Sequence, residues 1–509
     1  MRASLLLLAL AAPLSAQEAP QSVIPWLSDS IAPRPSGDPR LVDERTVDQP
    51  RDTTAAEPPA TVPTQTTITT QPLGATRRDA VGLMAATRAG LPPDAVAGSD
   101  PARLADLLMR QPLDALPAMQ DLLLRFLLAE LSPPRAAADP DALFFARIDT
   151  LLRFGALDQA QALLERAGAT DREAFRRWFD ASLLTGYDNR ACDAMTANPA
   201  IAPTLPARIF CLSRTGDWPA AALTLETGRA LGHITEAEDA LLAHFLDPEL
   251  FEDEPPPVPP RPMTPLAFRL LDGIGETPDT RALPLAFAAA DLRPTAGWKA
   301  QIEAAERLVR VQALDPNRLL SLYTERRPAA SGGVWDRAAA VQALDAALMA
   351  RQPDAVAAAL PDAVDLMEQA GLLQVLAELY GARLARLPLP GDAAEVALRL
   401  GLLSDDYHSV AETAPDSFAA SIALGAPDRT PPATALERAI HDGLTGAAPE
   451  HLLRLAGEGR LGEALLETGL LLADGARSDP QDIAEALAFL QAAGLREIAR
   501  RTALQLLLA

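Results

Sequence analysis

From about residue 80 to the C-terminus, the sequence consists of short runs rich in alanine and leucine, each ended by a proline or a glycine. Within the runs, apolar residues recur three or four positions apart, as at Leu104, Leu107 and Leu108. This spacing places apolar side chains on one face of an α-helix. Aromatic residues make up only 4% of the chain, and alanine and leucine favour helices over strands. The sequence therefore predicts an all-α fold.

Four of the predicted helix pairs share one spacing, in which a glycine is followed five residues later by an alanine in the next helix. The pairs are Gly155 and Ala160, Gly216 and Ala221, Gly459 and Ala464, and Gly494 and Ala499. Glycine allows the chain to turn tightly after one helix. The small alanine, one turn into the next helix, allows the two backbones to pack closely. The spacing therefore predicts helix hairpins.

This turn resembles that of tetratricopeptide and Sel1-like repeats, although the Trp, Tyr and terminal Pro positions of the full consensus are not met in register. The resemblance implies an α-solenoid of stacked helix hairpins, with about eleven hairpins of ~34–40 residues after residue 80. In overall character the chain also resembles exported, Ala/Leu-rich bacterial proteins of unknown function, some labelled antifreeze-related. Ice binding would require a flat array of regularly spaced threonines, whereas this chain has one short threonine-rich stretch, Thr64–Thr70.

Residues 1–16 have the features of a secretory signal peptide. Arg2 supplies the positive end, Leu5–Leu10 lies within the apolar stretch, and Leu14–Ala16 forms a small-residue cleavage site. The apolar run is shorter than the roughly 20 residues needed to span a bilayer. We therefore expect a periplasmic or secreted protein, with no stable membrane insertion after the signal is cleaved.

Residues 17–32 contain a short apolar segment in polar surroundings. Ile24, Leu27 and Ile31 follow helical spacing, and Trp26 lies among them. The segment is typical of a docking peptide for the groove of a partner protein. The alternative is that it folds back onto the body of its own chain and fills a groove there.

Composition divides the rest of the chain into four parts. Residues 33–79 are rich in proline and threonine and are predicted to be a disordered linker, because they cannot bury enough apolar surface to offset chain entropy. Residues 80–251 form a predicted N-terminal helical-repeat region, and residues 266–509 a C-terminal one. Residues 252–265 are dense in proline and predict an extended, semi-rigid linker between them.

The chain has two cysteines, Cys192 and Cys211, in two consecutive predicted helices, Asp188–Ala197 and Leu205–Arg214. The linker between these helices is short enough to fold them back on each other. In an exported protein this arrangement favours a disulfide, which would stabilise the fold by about 3 kcal/mol. The alternative is two separate buried thiols.

Charge and motifs argue against several classes of function. A formal net charge of −23 repels phosphate backbones, so nucleic acid is not an expected partner. The sequence contains none of the common phosphate-binding, zinc-protease or hydrolase motifs, and its five histidines stand apart. The one lysine, Lys299, leaves few routes to lysine chemistry. We therefore predict no catalytic residues, no cofactor and no metal site.

Two patches combine arginine with aromatic residues. Arg326, Arg327 and Arg337 surround a glycine turn beside Trp335, and could capture an anionic ligand or a carboxylate of a partner. The alternative is a loop between repeats, with ion pairs from Glu325 and Asp336. In the second patch, Phe175–Phe179, the aromatic residues could form an exposed hot spot, but an inward apolar face with the two arginines in water is the preferred interpretation.

Together these features predict a periplasmic, non-catalytic helical-repeat scaffold or adaptor that binds protein partners in an envelope assembly. Stacked helix pairs form an extended concave surface that suits recognition rather than chemistry. One alternative is an accessory factor of a flagellar motor or of a secretion machine. Another is a peptidoglycan-acting enzyme built on a helical solenoid, although sugar binding usually relies on more aromatic residues than this chain has.

Overall fold

The computed structural model describes Ile24, Trp26, Leu27 and residues 77–135, 141–168 and 170–509. The all-α prediction is confirmed for this part of the chain, where the strands are a single two-residue parallel pair. Strand β1 (Met84–Ala85) pairs with β2 (Ala129–Glu130), so that Met84 lies opposite Ala129. The predicted signal peptide, Ile31 and residues 33–76 of the predicted linker lie outside the described residues.

Helices make up most of the described residues. The first nine are α1 (Pro101–Arg110), α2 (Pro117–Leu128), α3 (Ala142–Arg153), α4 (Leu157–Ala167), α5 (Arg172–Thr185), α6 (Asp188–Ala197), α7 (Leu205–Arg214), α8 (Trp218–Ala230) and α9 (Glu236–Leu246). The next nine are α10 (Pro265–Gly273), α11 (Ala288–Asp291), α12 (Trp298–Val309), α13 (Pro316–Glu325), α14 (Val334–Ala350), α15 (Pro353–Gln369), α16 (Leu373–Leu376), α17 (Ala382–Leu384) and α18 (Asp392–Leu403). The last seven are α19 (Tyr407–Thr413), α20 (Phe418–Ala423), α21 (Ala435–Thr445), α22 (Glu450–Gly457), α23 (Leu461–Leu471), α24 (Pro480–Ala492) and α25 (Arg496–Leu508). A π-helix, Ala377–Gly381, joins α16 to α17.

The glycine-to-alanine spacing has the predicted physical basis. All four glycines lie between two helices and have positive φ angles, from 73° at Gly155 to 88° at Gly216. In each turn the residue after the glycine donates its N–H to a carbonyl of the preceding helix, as Asp217 does to Leu212 at 2.9 Å. This is the Schellman arrangement that ends a helix. All four alanines are fully buried, so the small side chain does allow close packing.

The same turn occurs at a fifth place that the sequence comparison missed. Gly186, between α5 and α6, has a φ angle of 87°, and the N–H of Tyr187 donates to the Ser182 carbonyl at 2.9 Å. Ala191, five residues after the glycine, is fully buried. The intervening residues are polar, which hides the unit from a search for Ala/Leu-rich helices.

Helices that are neighbours in sequence pack against each other from α3 to α10 and again from α12 to α15. Within the first series, the disulfide between Cys192 and Cys211 joins α6 to α7, with a Cα–Cα distance of 4.9 Å. The predicted disulfide is therefore confirmed. It links two helices that already contact each other along the chain.

The two ends of the helical region also pack together. Helix α1 contacts α23, and α2 contacts α25. The Gly98 N–H donates to the Gly459 carbonyl at 3.0 Å, and the Ala118 N–H donates to the side chain of Gln505 at 2.9 Å. In an open solenoid each repeat contacts only its neighbours. The contacts of α1 and α2 with α23 and α25 are therefore long-range contacts that an open solenoid would not have.

Buried apolar residues do not divide the chain at the predicted linker 252–265. The largest cluster contains residues on both sides of it, including Leu242 of α9 and Phe268 of α10, and also takes in the helices after residue 401. A second cluster contains buried residues from Ile302 to Leu403. The buried residues after residue 401 belong to the largest cluster because the C-terminal helices pack on α1 and α2.

The helical body begins at least as early as Arg77, within the predicted linker 33–79. Asp79 lies in a short 3₁₀ turn, is fully buried, and accepts a hydrogen bond from the Phe144 N–H at 2.8 Å. Arg147, also fully buried, donates to the carbonyls of Leu127 and Val81, both at 2.8 Å. These contacts tie the start of the body to α2 and α3.

The aromatic residues of the patch Phe175–Phe179 are buried, as the preferred interpretation expects, but its two arginines are also buried, contrary to that interpretation. Arg177 makes two hydrogen bonds with Asp149, at 2.6 and 3.0 Å, and a further one with Glu173 at 2.7 Å. Its guanidinium also lies 4.4 Å from the ring centre of Phe145. Buried charges require such partners, and here Asp149 on α3 supplies one that the local sequence did not indicate.

Candidate functional site

A cavity of about 470 Å³ lies between α12 and α14 and contains five basic side chains. We call it the basic cleft. It is lined by Arg281, Lys299, Glu303, Glu306, Arg307, Arg310, Ser331, Gly332, Gly333, Val334, Trp335 and Arg337. Two glutamates oppose the five basic residues, so the lining carries a local excess of positive charge in a chain whose net charge is −23.

One wall of the basic cleft is a face of α12. Lys299, Glu303 and Arg307 of α12, together with Arg310 directly after its end, are separated by four, four and three positions. Residues at these separations lie on the same side of a helix. The helix itself begins at Trp298, whose indole N–H donates to the Leu322 carbonyl of α13 at 2.8 Å. This bond fixes the start of α12 against its neighbour.

The loop before α14 forms the mouth of the cleft. Gly332 and Gly333 have φ angles of 96° and 56°, values that favour glycine. The Gly332 N–H donates to the Asp336 carboxylate at 2.9 Å. This bond holds the turn against α14, so that Trp335 and Arg337 follow at a fixed position in the wall.

Arg337 is committed to a carboxylate inside the cleft. It makes two hydrogen bonds with Glu306, at 2.8 and 2.6 Å, and the Tyr323 hydroxyl donates to the same carboxylate at 2.7 Å. Burial and the neighbouring Glu306 carboxylate raise the pKa of Tyr323, so its hydroxyl stays protonated. The three side chains brace α12 against α13 and α14. Arg337 is therefore part of the frame of the site.

Arg307 and Arg310 have more freedom to bind an anion. Arg307 donates to the carbonyls of Thr280 and Leu283, at 3.0 and 3.3 Å. Burial lowers the pKa of Arg307 and the neighbouring Arg310 charge adds to this effect, whereas the more distant carboxylates of Asp291 and Asp279 oppose it. Across residues 77–135, 141–168 and 170–509, neither arginine forms an ion pair with a carboxylate. An anion between them would relieve the repulsion of their charges.

The other two basic residues of the cleft have acidic neighbours. Arg281 pairs with Asp279 at 2.7 Å, and Lys299 lies 3.6 Å from Glu303. The Arg281–Asp279 pair is largely exposed, and Lys299 is exposed beside a partly buried Glu303. Exposed pairs are weak and exchange readily, so these groups can turn toward an incoming anion.

An aromatic pair forms an apolar wall beside the charges. The ring centres of Trp298 and Trp335 are 5.0 Å apart, and the two planes are tilted by 44°. Trp335 is partly exposed and lines the cleft. An occupant with an acidic group next to an apolar group would match this combination of charges and aromatic surface.

The arginine patch predicted from sequence is split by the structure. Trp335 and Arg337 lie in the basic cleft, whereas Arg326 and Arg327 are exposed and outside its lining. Arg326 pairs with Glu325 at 3.0 Å, as the alternative interpretation expected. Asp336, however, bonds to the backbone of the glycine turn.

Most of the charges in the cleft were missed because they lie on α12, before the patch in sequence. The spacing of Lys299, Glu303 and Arg307 was available as a pattern, since each residue follows the previous one by four positions. That pattern indicates one charged helix face. It does not indicate which loop will lie opposite.

The N-terminal segment lies on the body of its own chain. Ile24, Trp26 and Leu27 are all buried, and the Leu27 N–H donates to the Ile24 carbonyl at 3.1 Å. The ring centres of Trp26 and Phe287 are 5.7 Å apart in an edge-to-face arrangement. These three residues therefore occupy a groove in cis, whereas Ile31 lies outside the described residues.

The described residues contain no group of three or more His, Cys, Asp or Glu side chains placed to hold a metal ion. No helix among them combines the length and the apolar character needed to cross a bilayer.

Comparisons with protein-family models, with curated proteins and with solved structures each found no match.

Proposed function

We propose that the protein is an exported, non-catalytic helical-repeat scaffold, periplasmic or secreted, that binds a protein partner through the basic cleft. The observation that carries this proposal is the pair Arg307 and Arg310, whose charges share a cavity without a carboxylate partner of their own among the described residues. The disulfide between Cys192 and Cys211 is compatible with an oxidising compartment.

The chemistry of the cleft favours a carboxylate-bearing segment of a partner. Guanidinium groups form paired hydrogen bonds with carboxylates. The remainder of the surface is strongly acidic and repels an anionic segment at long range. Only a segment that places its acidic group in the cleft and an apolar side chain on Trp335 gains both interactions. This combination supports a specific partner over general binding of anions.

In-cell photocrosslinking tests the proposal. A photoreactive phenylalanine analogue placed at position 335 lies in the cleft, and the same analogue at Leu223, an exposed residue of α8, serves as the control. We expect one specific protein adduct from position 335 that is absent from position 223. The identity of the adduct would decide between a flagellar motor, a secretion machine and another envelope assembly.

Charge substitutions make the test specific to the cleft. Replacing both Arg307 and Arg310 with alanine should reduce the adduct at least about tenfold, because charged hydrogen bonds contribute about 1.5–3 kcal/mol each. Replacing the exposed Arg326 and Arg327 with alanine is the matched control and should leave the adduct unchanged. An adduct that survives the first double substitution contradicts the proposal.

A further inference from the structure

A second cavity, of about 330 Å³, lies where α2, α4, the segment after α12 and α16 come together. We call it the polar cavity. Three glutamine side chains line it, from Gln159, Gln312 and Gln374, together with the charged residues Arg310, Asp315 and Glu378. The lining thus contains amide groups and charges of both signs. It is distinct from the basic cleft, although Arg310 lines both.

Gln312 is held in an unusual backbone conformation at the edge of this cavity. Its φ angle is 59°, which is left-handed and costs a non-glycine residue roughly 1–2 kcal/mol. Its side-chain amide donates to the Pro117 carbonyl at 3.0 Å. Strained residues of this kind concentrate at binding sites. Here the conformation places the end of α12 against the N-terminal helices and closes one wall of the cavity.

Gln374 carries a buried acceptor that has no hydrogen-bond partner among the described residues. Its side-chain NH₂ donates to the Glu378 carboxylate at 3.1 Å and to the Leu403 carbonyl at 3.0 Å. Because both neighbours are acceptors, the orientation of the amide is fixed. The Oε1 atom is buried and accepts no hydrogen bond from the described part of the chain, and the residue is only 8% exposed. A buried acceptor of this kind favours a ligand that brings an N–H group.

Glu378 and Arg310 supply opposite charges. Glu378 lies on the π-helix Ala377–Gly381, an irregularity that recurs at functional sites. Burial raises the pKa of this carboxyl, and the hydrogen bond from Gln374 opposes that effect. Arg310 is exposed, and its side chain packs beside Gly371. A ligand with an amine and a carboxylate could place the amine at Glu378 and the carboxylate at Arg310.

We propose that the polar cavity binds a small zwitterion, either a free amino acid or a short peptide, with its carboxylate at Arg310 and its ammonium or amide N–H at Gln374 and Glu378. The volume is at the lower end of the range for small-molecule sites. The proposal does not depend on the basic cleft having a protein partner, because Gln374 and Glu378 are not part of the cleft lining.

Isothermal titration calorimetry on the full chain tests this site with two probes, L-glutamine and L-alanyl-L-alanine. We expect saturable binding of at least one probe at millimolar concentration or below. N-acetyl-L-alanyl-L-alanine amide, which lacks both charges, should not bind. Equal binding of the blocked peptide, or no saturable binding of either probe up to about 20 mM, overturns the proposal.

Two substitutions localise the binding. Gln374→Met keeps the approximate length of the side chain but removes its hydrogen bonds, and Glu378→Gln keeps the shape but removes the charge. Each should weaken binding at least about tenfold, the effect of losing one hydrogen bond of about 1.4 kcal/mol. Gln481→Met, at an exposed position on α24, is the control. Binding unchanged by both cavity substitutions, with circular dichroism confirming the fold, overturns the assignment.

Discussion

Replacing Asp79 with asparagine should change how the stability of the protein depends on pH. The Asp79 carboxylate is fully buried, accepts the Phe144 N–H at 2.8 Å and pairs with Arg77 at 3.2 Å. Burial raises the pKa of Asp79 from its usual value of 3.8 to about 6, although these two partners lower it. Asparagine retains an oxygen that can accept the Phe144 N–H, but it has no proton to gain or lose.

The raised pKa of Asp79 determines whether its contribution to stability rises or falls with pH. Between about pH 4 and pH 6 the folded protein holds a proton on Asp79 that the unfolded chain has released. The resulting stabilisation is fully present below about pH 4 and is lost as the pH rises through about 6. The difference in pKa of about two corresponds to about 3 kcal/mol in total, of which about 1.4 kcal/mol falls between about pH 5 and 7.5.

Urea denaturation of both proteins, followed by circular dichroism at several pH values in this range, measures the effect. The free energy of unfolding of the natural protein minus that of Asp79→Asn should fall by about 1.4 kcal/mol from the lowest pH to the highest. Asp193→Asn, at an exposed position on α6, controls for a general change in charge. A difference that stays constant with pH would refute burial of an ionisable Asp79 as the cause.

Three further variants test the packing of the body. Replacing both cysteines with alanine should lower the free energy of unfolding by about 3 kcal/mol in oxidising buffer, and equal stability would show that α6 and α7 need no cross-link. Trp26→Ala removes the contact with Phe287, so hydrogen exchange at Ile24 and Leu27 should become faster while helical circular dichroism is retained. Asp149→Asn leaves the buried charge of Arg177 without its main partner and should cost about 3–5 kcal/mol in a denaturation experiment.

The parts of the fold that the sequence predicts depend on local chemistry. The turns at Gly155 and Gly216 are encoded within about six residues, because the glycine conformation and the buried alanine belong to the same hairpin. The disulfide is local for the same reason, since its cysteines lie on consecutive helices separated by one short linker. In each case the partner is the next element along the chain, so no long-range information is needed.

The contacts that the sequence does not predict join distant elements. The hydrogen bond between Gly98 and Gly459 links residues that no helical spacing relates. Arginine is amphipathic, and its position on a helix predicts exposure unless a partner elsewhere is known. Arg147 and Arg177 are buried because carbonyls or carboxylates on other elements accept their hydrogen bonds. The basic cleft also joins separate elements, since α12 carries most of its charge and α14 contributes Trp335.

Arg310 connects the two proposed sites, because it lines both the basic cleft and the polar cavity. Its single charge cannot fully neutralise two carboxylates at once, so occupancy of one site should weaken binding at the other. By linkage, the two affinities change by the same factor. Once a partner segment is identified, L-alanyl-L-alanine should bind more weakly in its presence. Arg310→Ala should weaken both ligands and abolish this coupling, and a dipeptide affinity indifferent to the partner would show that the two sites do not share the charge.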